Sequence, residues 1–235
     1  MPAILPDIHS VEIAIIEMTN AFRADNKLAP VKPNAALAAA AKSYAAFLAK
    51  SGLFSHTADG RESGERVTSV GYAWCQVAEN LALAADSLGF ESRALAKKAV
   101  EGWINSPGHR ENMLGPHVTE IGVGVARAPD KDPKFISVEL FARPKSLEYE
   151  FQISNASPES VSYSFGGESF EVKPHFAVTH TACNPSELTF DKMGAGARTR
   201  TLAMRYEAAD GLVYTLMPDK ASGLRIEIAR MQKVN

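Results

Sequence analysis

Between residues 103 and 126 the chain reads WINSPGHRENMLGPHVTEIGVGVA, a stretch that few backbones accommodate. Pro107-Gly108 ends an incoming helix, because proline lacks the N–H that a helix interior needs, yet it suits the first turn of a new one. His109 therefore falls on a second, short helix. Glu120 then stands at the head of IGVGVA, a run with strand character. Gly122 and Gly124 mark close backbone packing of that strand and not a phosphate loop, since no GxGxxG pattern follows.

The segments upstream are helical. A helix is predicted over 10–25, capped by Ser10, with Val11, Ile15, Met18 and Phe22 forming one apolar stripe. Prolines break it over 30–33, and Asn34 caps a second helix that runs to Lys50. Its buried face is Leu37, Ala40, Ala41, Tyr44, Ala45 and Leu48, an alanine-rich surface that admits a close neighbour. Gly52 stops the helix, so His56 lies in the loop before the Asp59-Gly60 turn. A short helix over 63–70 precedes an extended stretch ending at Glu79. A third long helix covers 91–105, with Ala96, Ala99, Val100 and Trp103 on one face. Strands over 121–126 and 135–142 flank the APDKDP turn. Helices interleaved with antiparallel strands, without a βαβ repeat, predict an α+β sandwich.

The pattern changes at Arg143-Pro144. Strand-like runs follow, LEYEFQIS, VSYSF, ESFEV, HFAVTHT, LTF, TRTLAMRY, LVYTL and LRIEIARM, with Gly166-Gly167 and Asp210-Gly211 as hairpin signals. The expected division is an α+β domain over 1–145 and a small all-β, sandwich-like domain over 146–235. A length of 235 residues allows two such domains, and a formal charge of -2 gives no electrostatic reason to expect nucleic acid. No apolar run is long enough to span a bilayer. The opening MPAILPDIHS has neither a basic nor an apolar leader region, so the sequence reads as cytosolic or as a mature form whose signal has been removed. Cys75 and Cys183 are too few for a disulfide framework. They are either two free thiols or one bridge stapling the domains.

Four ionisable residues, His56, Glu79, His109 and Glu120, are expected at element ends or in loops, where functional groups sit on rigid scaffolds. Two imidazoles and a carboxylate can hold a metal with one position open. Equally, two histidines bonded to two glutamates can satisfy one another as buried polar groups. The separation of His56 from His109 carries no local metal signature. Asn80 either ties backbone or faces the groove, and Asn112 or Arg110 is placed to orient a site group from the short helix. Trp103, Tyr44 and Tyr72 read as core. His175, His180 and Cys183 form a weak H-x4-H-x2-C pattern in the β-rich part.

The ordered motifs NAFRADNKLAPVKPNAALAAAAKSYAAFLAKSGLFSHT, RVTSVGY, AENLA, VEGWINSPGHRENML and TEIGVGVA resemble the CAP superfamily of cysteine-rich secretory, antigen 5 and pathogenesis-related proteins. The forms WINSPGHRENML and TEIGVGVA are similar to its bacterial branch. The resemblance covers residues 10–143. It implies a three-layer α-β-α sandwich with an open groove, and a secreted or periplasmic protein. It implies a groove tetrad of two histidines and two acids, carried here by His56, Glu79 and His109. The second acid of animal and plant members maps to Ser106, a departure from the pattern, and Glu120 is the available replacement. The groove set is thus His56, Glu79, Asn80, Ser106, His109 and Glu120. The resemblance also implies that His56 and His109 are the metal ligands if zinc or another divalent ion binds, while no cofactor is required.

Three functions follow. The groove binds a lipid, a peptide or a cell-wall fragment; or it is a metal-dependent hydrolase with Glu79 or Glu120 as base; or the β-domain engages a protein partner.

Overall fold

The computed structural model describes residues 3–190, 204–219 and 223–231, and the chain divides into two compact units, Met1–Leu147 and Glu148–Asn235.

In the first unit a four-stranded sheet has the order β1-β3-β4-β2: β1 (Lys32–Pro33), β3 (Glu120–Arg127), β4 (Lys134–Pro144) and β2 (Trp74–Ala85). All pairs are antiparallel except β1 with β3. Alternation along the strands sends successive side chains to opposite faces. Val138, Leu140 and Ala142 of β4 and Leu81 of β2 pack on α2 (Ala35–Ser51) and on Val67 of α3 (Ser63–Ser69). Ile121, Val123, Phe135 and Phe141 face the other way, onto α1 (Ile8–Asp25) and α4 (Ser92–Ile104). These are the three layers of an α-β-α sandwich. A short helix, α5 (Pro107–Met113), follows α4 after the expected break, with proline in its first turn.

Local chemistry explains the boundaries. Asn34 caps α2 by accepting from the amides of Ala36 and Leu37, and Gly52 ends it in the left-handed conformation with φ of 74°. The helix α1 starts before the expected Ser10: Asp7 is the cap, and Ser10 supplies the donor amide. Gly122 and Gly124 let β3 lie directly on α2, because a Cβ at either would fall on the backbone of Leu37–Ala38 or Ala41–Lys42. Trp103 is buried and donates its indole N–H to Leu81 O at 3.0 Å.

The second unit is a sandwich of two four-stranded sheets, β10-β9-β6-β7 and β12-β11-β5-β8. The first holds β6 (Val161–Phe165), β7 (Glu168–Val172), β9 (Glu187–Phe190) and β10 (Met204–Glu207), and the second β5 (Tyr149–Asn155), β8 (Ala177–Ala182), β11 (Leu212–Asp219) and β12 (Gly223–Arg230). Phe151, Ile153, Tyr214 and Leu216 from one sheet meet Tyr163, Val172, Leu188 and Phe190 from the other in a shared core. Gly166-Gly167 turns the β6–β7 hairpin as expected. Asp210-Gly211 does not make a hairpin. It joins β10 to β11, which lie in different sheets, and its Asp210 carboxylate accepts from the Glu150 amide. Of the expected TRTLAMRY strand, residues 199–203 lie outside the described residues. No free thiol is found among the described residues, which removes the reading of two free cysteines.

Candidate functional site

His56 occupies the turn that follows α2, and that turn is fastened from below. The Tyr44 hydroxyl, rising from α2, donates to Ser55 O at 2.5 Å and accepts from the Ala58 amide at 3.1 Å. Arg66, on α3, donates to His56 O at 3.0 Å and stacks its guanidinium 3.6 Å above the Tyr44 ring. His56 Nδ1 is 2.9 Å from Glu79 Oε1, with its own side chain half exposed and that of Glu79 buried.

Glu79 lies in the middle of β2 and not at its end, since the extended stretch continues through Leu81 and Leu83 to Ala85. Both its oxygens are engaged, Oε1 by His56 and Oε2 by Arg66 at 2.7 Å. The same guanidinium reaches Asp59 at 3.0 Å and Arg61 O at 2.6 Å, while its Nε–H is buried without a partner. Arg66 is therefore a buried hub that pairs two carboxylates and pins the His56 turn.

His109 comes from α5, and its ring centroid lies 6.4 Å from that of His56, with the planes inclined by 49°. Burial, and then the proximity of His56, holds the His109 imidazole below its usual pKa, so it stays neutral at neutral pH. Three sets of side chains hold α5 in place. Asn80 donates to His109 O at 3.2 Å, Asn112 reaches back to Glu79 O at 3.2 Å, and Arg23 donates to Met113 O at 2.7 Å and Gly115 O at 3.0 Å.

The structure thus brings together His56, Glu79 and His109, with Asn80 directly beneath. Ser106 sits at the N-cap of α5 but makes no side-chain capping bond. Glu120 shares the sheet face of Glu79, opposite Ala142 where Glu79 is opposite Leu140, with β4 between them. Two strand spacings sideways and two residues along the strand separate their backbones, about 12 Å. Its carboxylate is held by the Tyr72 hydroxyl, whose pKa is driven far upward by burial and by that carboxylate. Tyr44 and Tyr72, read as core residues, thus also hold site groups. Arg66 carries no signal in RVTSVGY beyond its charge, and only the packing of α3 on β2 reveals its role.

Two imidazoles bound to one tetrahedral zinc at ~2.0–2.1 Å place their centroids about 5 Å apart. The observed pair is wider by roughly an ångström on that estimate. With Nδ1 bonded to Glu79, Nε2 of His56 is the nitrogen left for a ligand, the orientation that outer-shell carboxylates impose on metal-binding histidines. Among the described residues no group of three or more His, Cys, Asp or Glu is placed to hold a metal ion. In the second unit His180 Nε2 bonds the Tyr163 hydroxyl at 2.8 Å among the rings of Phe151, Phe165 and Phe170, while His175 occupies a left-handed turn. The H-x4-H-x2-C pattern makes no metal cluster there.

The chain is 28% identical over 118 residues to YkwD of Bacillus subtilis and 30% identical over 117 residues to the membrane protein YlbC of the same organism. These matches take in 50% and 49% of this chain but 43% and 32% of those proteins, so it spans less than half the length of either. An outer surface protein from Borrelia burgdorferi matches at a TM-score of 0.50 and 23% identity, over 58% of this chain and 94% of that one, a likeness of fold. No helix among the described residues is long and apolar enough to cross a membrane. The model of the cysteine-rich secretory protein family, CAP, matches residues 16–141, more than half the chain and nearly all of the sandwich that carries the paired histidines, and the protein belongs to that family.

Proposed function

We propose that this is an extracellular CAP protein whose His56–His109 groove binds a lipid, a peptide or a cell-wall-derived ligand, and that it acts by binding. The observation that carries this reading is the state of Glu79. Both its oxygens are engaged, so beside the histidines it serves as an orienting group and not as a free general base. What faces the groove is a pair of imidazoles, one oriented by its Glu79 bond and the other, His109, kept neutral and so able to accept a hydrogen bond from a hydroxyl or amide group. A secreted location accords with the family.

A second reading is supported by the Glu79–His56 bond, which presents Nε2 as a metal ligand should present it. In that case His56 and His109 would hold a divalent ion, and such an ion would polarise a bound carbonyl or water. Glu79 would orient His56, leaving Glu120 as the carboxylate candidate for base once released by Tyr72.

The test follows the ring signals of His56 and His109 by NMR during separate titrations with muropeptides, palmitate, a mixed tripeptide library and zinc. The expected result is a saturable shift of both rings with one organic ligand, lost in His109→Ala. Shifts with zinc alone, accompanied by peptide hydrolysis, would replace binding with the metal reading. No shift with any of them would overturn both.

A further inference from the structure

Glu139, on β4, is completely buried on the sheet face opposite Glu79. Its Oε1 accepts from the Thr19 hydroxyl at 2.7 Å, and its Oε2 accepts from Asn80 Nδ2 at 3.1 Å. That same Asn80 nitrogen donates to His109 O at 3.2 Å, while Asn80 Oδ1 accepts from Asn112 Nδ2 at 2.9 Å. Asn112 in turn donates to Glu79 O at 3.2 Å. A continuous set of bonds therefore runs from α1 through β4 and β2 to α5, and it ends on the backbones of two site residues.

The Asn80 amide has one orientation that suits these partners. Its nitrogen faces two acceptors and its oxygen faces a donor. Turned over, it would oppose oxygen to His109 O and to the carboxylate, and nitrogen to nitrogen at Asn112. An ionised Glu139 enforces the observed orientation, because a carboxylate only accepts. A proton on Oε2 would donate, favour the turned amide and leave His109 O without its partner.

We propose that Glu139 is a positioning residue for the His56–His109 site: acting through the Asn80 amide, its carboxylate form locks the α5 turn that bears His109, and its protonation releases that lock. The importance of the lock rests on the groove reading above, but its existence does not. Burial pushes the Glu139 carboxyl up to about 7, so both forms are populated in the neutral range. The Thr19 and Asn80 bonds, and then Arg23 on α1, act in the opposite direction. Of the other ionisable groups nearby, Glu12 on α1 is engaged by Lys42 and the Val125 amide. Glu79 on β2 and Glu120 on β3 lie on the opposite face, and α5 presents His109.

The experiment uses the full chain, labelled with 15N, and follows the Asn80 side-chain amide and the His109 backbone amide through the neutral pH range. In the wild type the Asn80 amide should show one inflection, shared by the His109 amide, and the Asn80 inflection should persist in His109→Ala. Glu139→Gln can still accept from Asn80 and can donate to Thr19, so it should abolish the inflection while keeping the high-pH positions of both signals. Thr19→Val removes one bond to the carboxylate and should move the inflection upward, which keeps the test available if Glu139→Gln fails to fold. An Asn80 amide indifferent to pH in the wild type, or an inflection that survives in Glu139→Gln, would overturn the proposal. Failure of the groove reading appears separately, as histidine rings that respond to no ligand while the Asn80 inflection remains.

Discussion

Arg66→Met keeps an unbranched apolar stem over the Tyr44 ring but leaves the buried carboxylates of Glu79 and Asp59 without their shared cation. Removing one partner of a buried pair costs on the order of 3–5 kcal/mol when the other charge stays behind unpaired, and the cost here falls toward the lower end because His56 still meets Glu79 and Arg61 still meets Asp59. An unfolding free energy lowered by about that amount in urea denaturation is expected, together with a disordered His56 turn; a loss under ~1 kcal/mol would assign Arg66 to the surface class of ion pairs. Glu139 acts on stability in the opposite sense. Its folded pKa, about 7, lies above its ordinary 4.5, so the folded state holds a proton that the unfolded chain gives up. Its contribution is full below pH 4.5, declines as pH rises through 7, and is level above that. Glu139→Gln should therefore be more stable than the wild type at pH ~8 by roughly 1–3 kcal/mol, with the difference vanishing toward pH ~4 in parallel thermal melts. Neither residue stood out in the sequence. An arginine in RVTSVGY and a glutamate in ISVELFA look like ordinary surface charges until the third dimension buries them.

Among the elements, α2 was the most legible. Its six predicted apolar positions are all buried, because helical periodicity and the Asn34 and Gly52 caps agree. The break at Pro107 and the short α5 were legible for the same kind of reason, a local rule with no competitor. β2 was less so. Its continuation past Glu79 depends on eleven residues of pairing with β4, a long-range fact that AENLALAA does not announce. Asp210-Gly211 misled because a turn signal reports a reversal of the chain, not which sheet receives it. The two strand glycines read in the sequence as sites of close approach, and the geometry makes them demanding. Gly122→Ala would drive a methyl group into the backbone of α2, so β3 and α2 must separate. A cost of about 1–3 kcal/mol is expected from such overpacking, measured by chemical denaturation, and an unchanged midpoint would show that α2 slides freely.

At the scale of the whole molecule, each unit has its own core. The first is built on both faces of the β1-β3-β4-β2 sheet, and the second lies between two sheets. We predict that a chain ending at Leu147 folds alone in reducing buffer, with one cooperative transition and the His56–His109 ring signals preserved. Non-cooperative melting or loss of those signals would show that the first unit needs the second. One further consequence follows from the way α4 and α5 meet the sheet. β2 is its last strand, and the outward carbonyls of Glu79 and Leu81 are taken by the Asn112 amide and the Trp103 indole. Left bare, that row would be a template on which another chain could add a strand, the usual route to aggregation of β-proteins. The helix that presents His109 therefore also denies the sheet to its neighbours, and a ligand that levered α5 aside would unseal an aggregation-prone margin as it opened the groove.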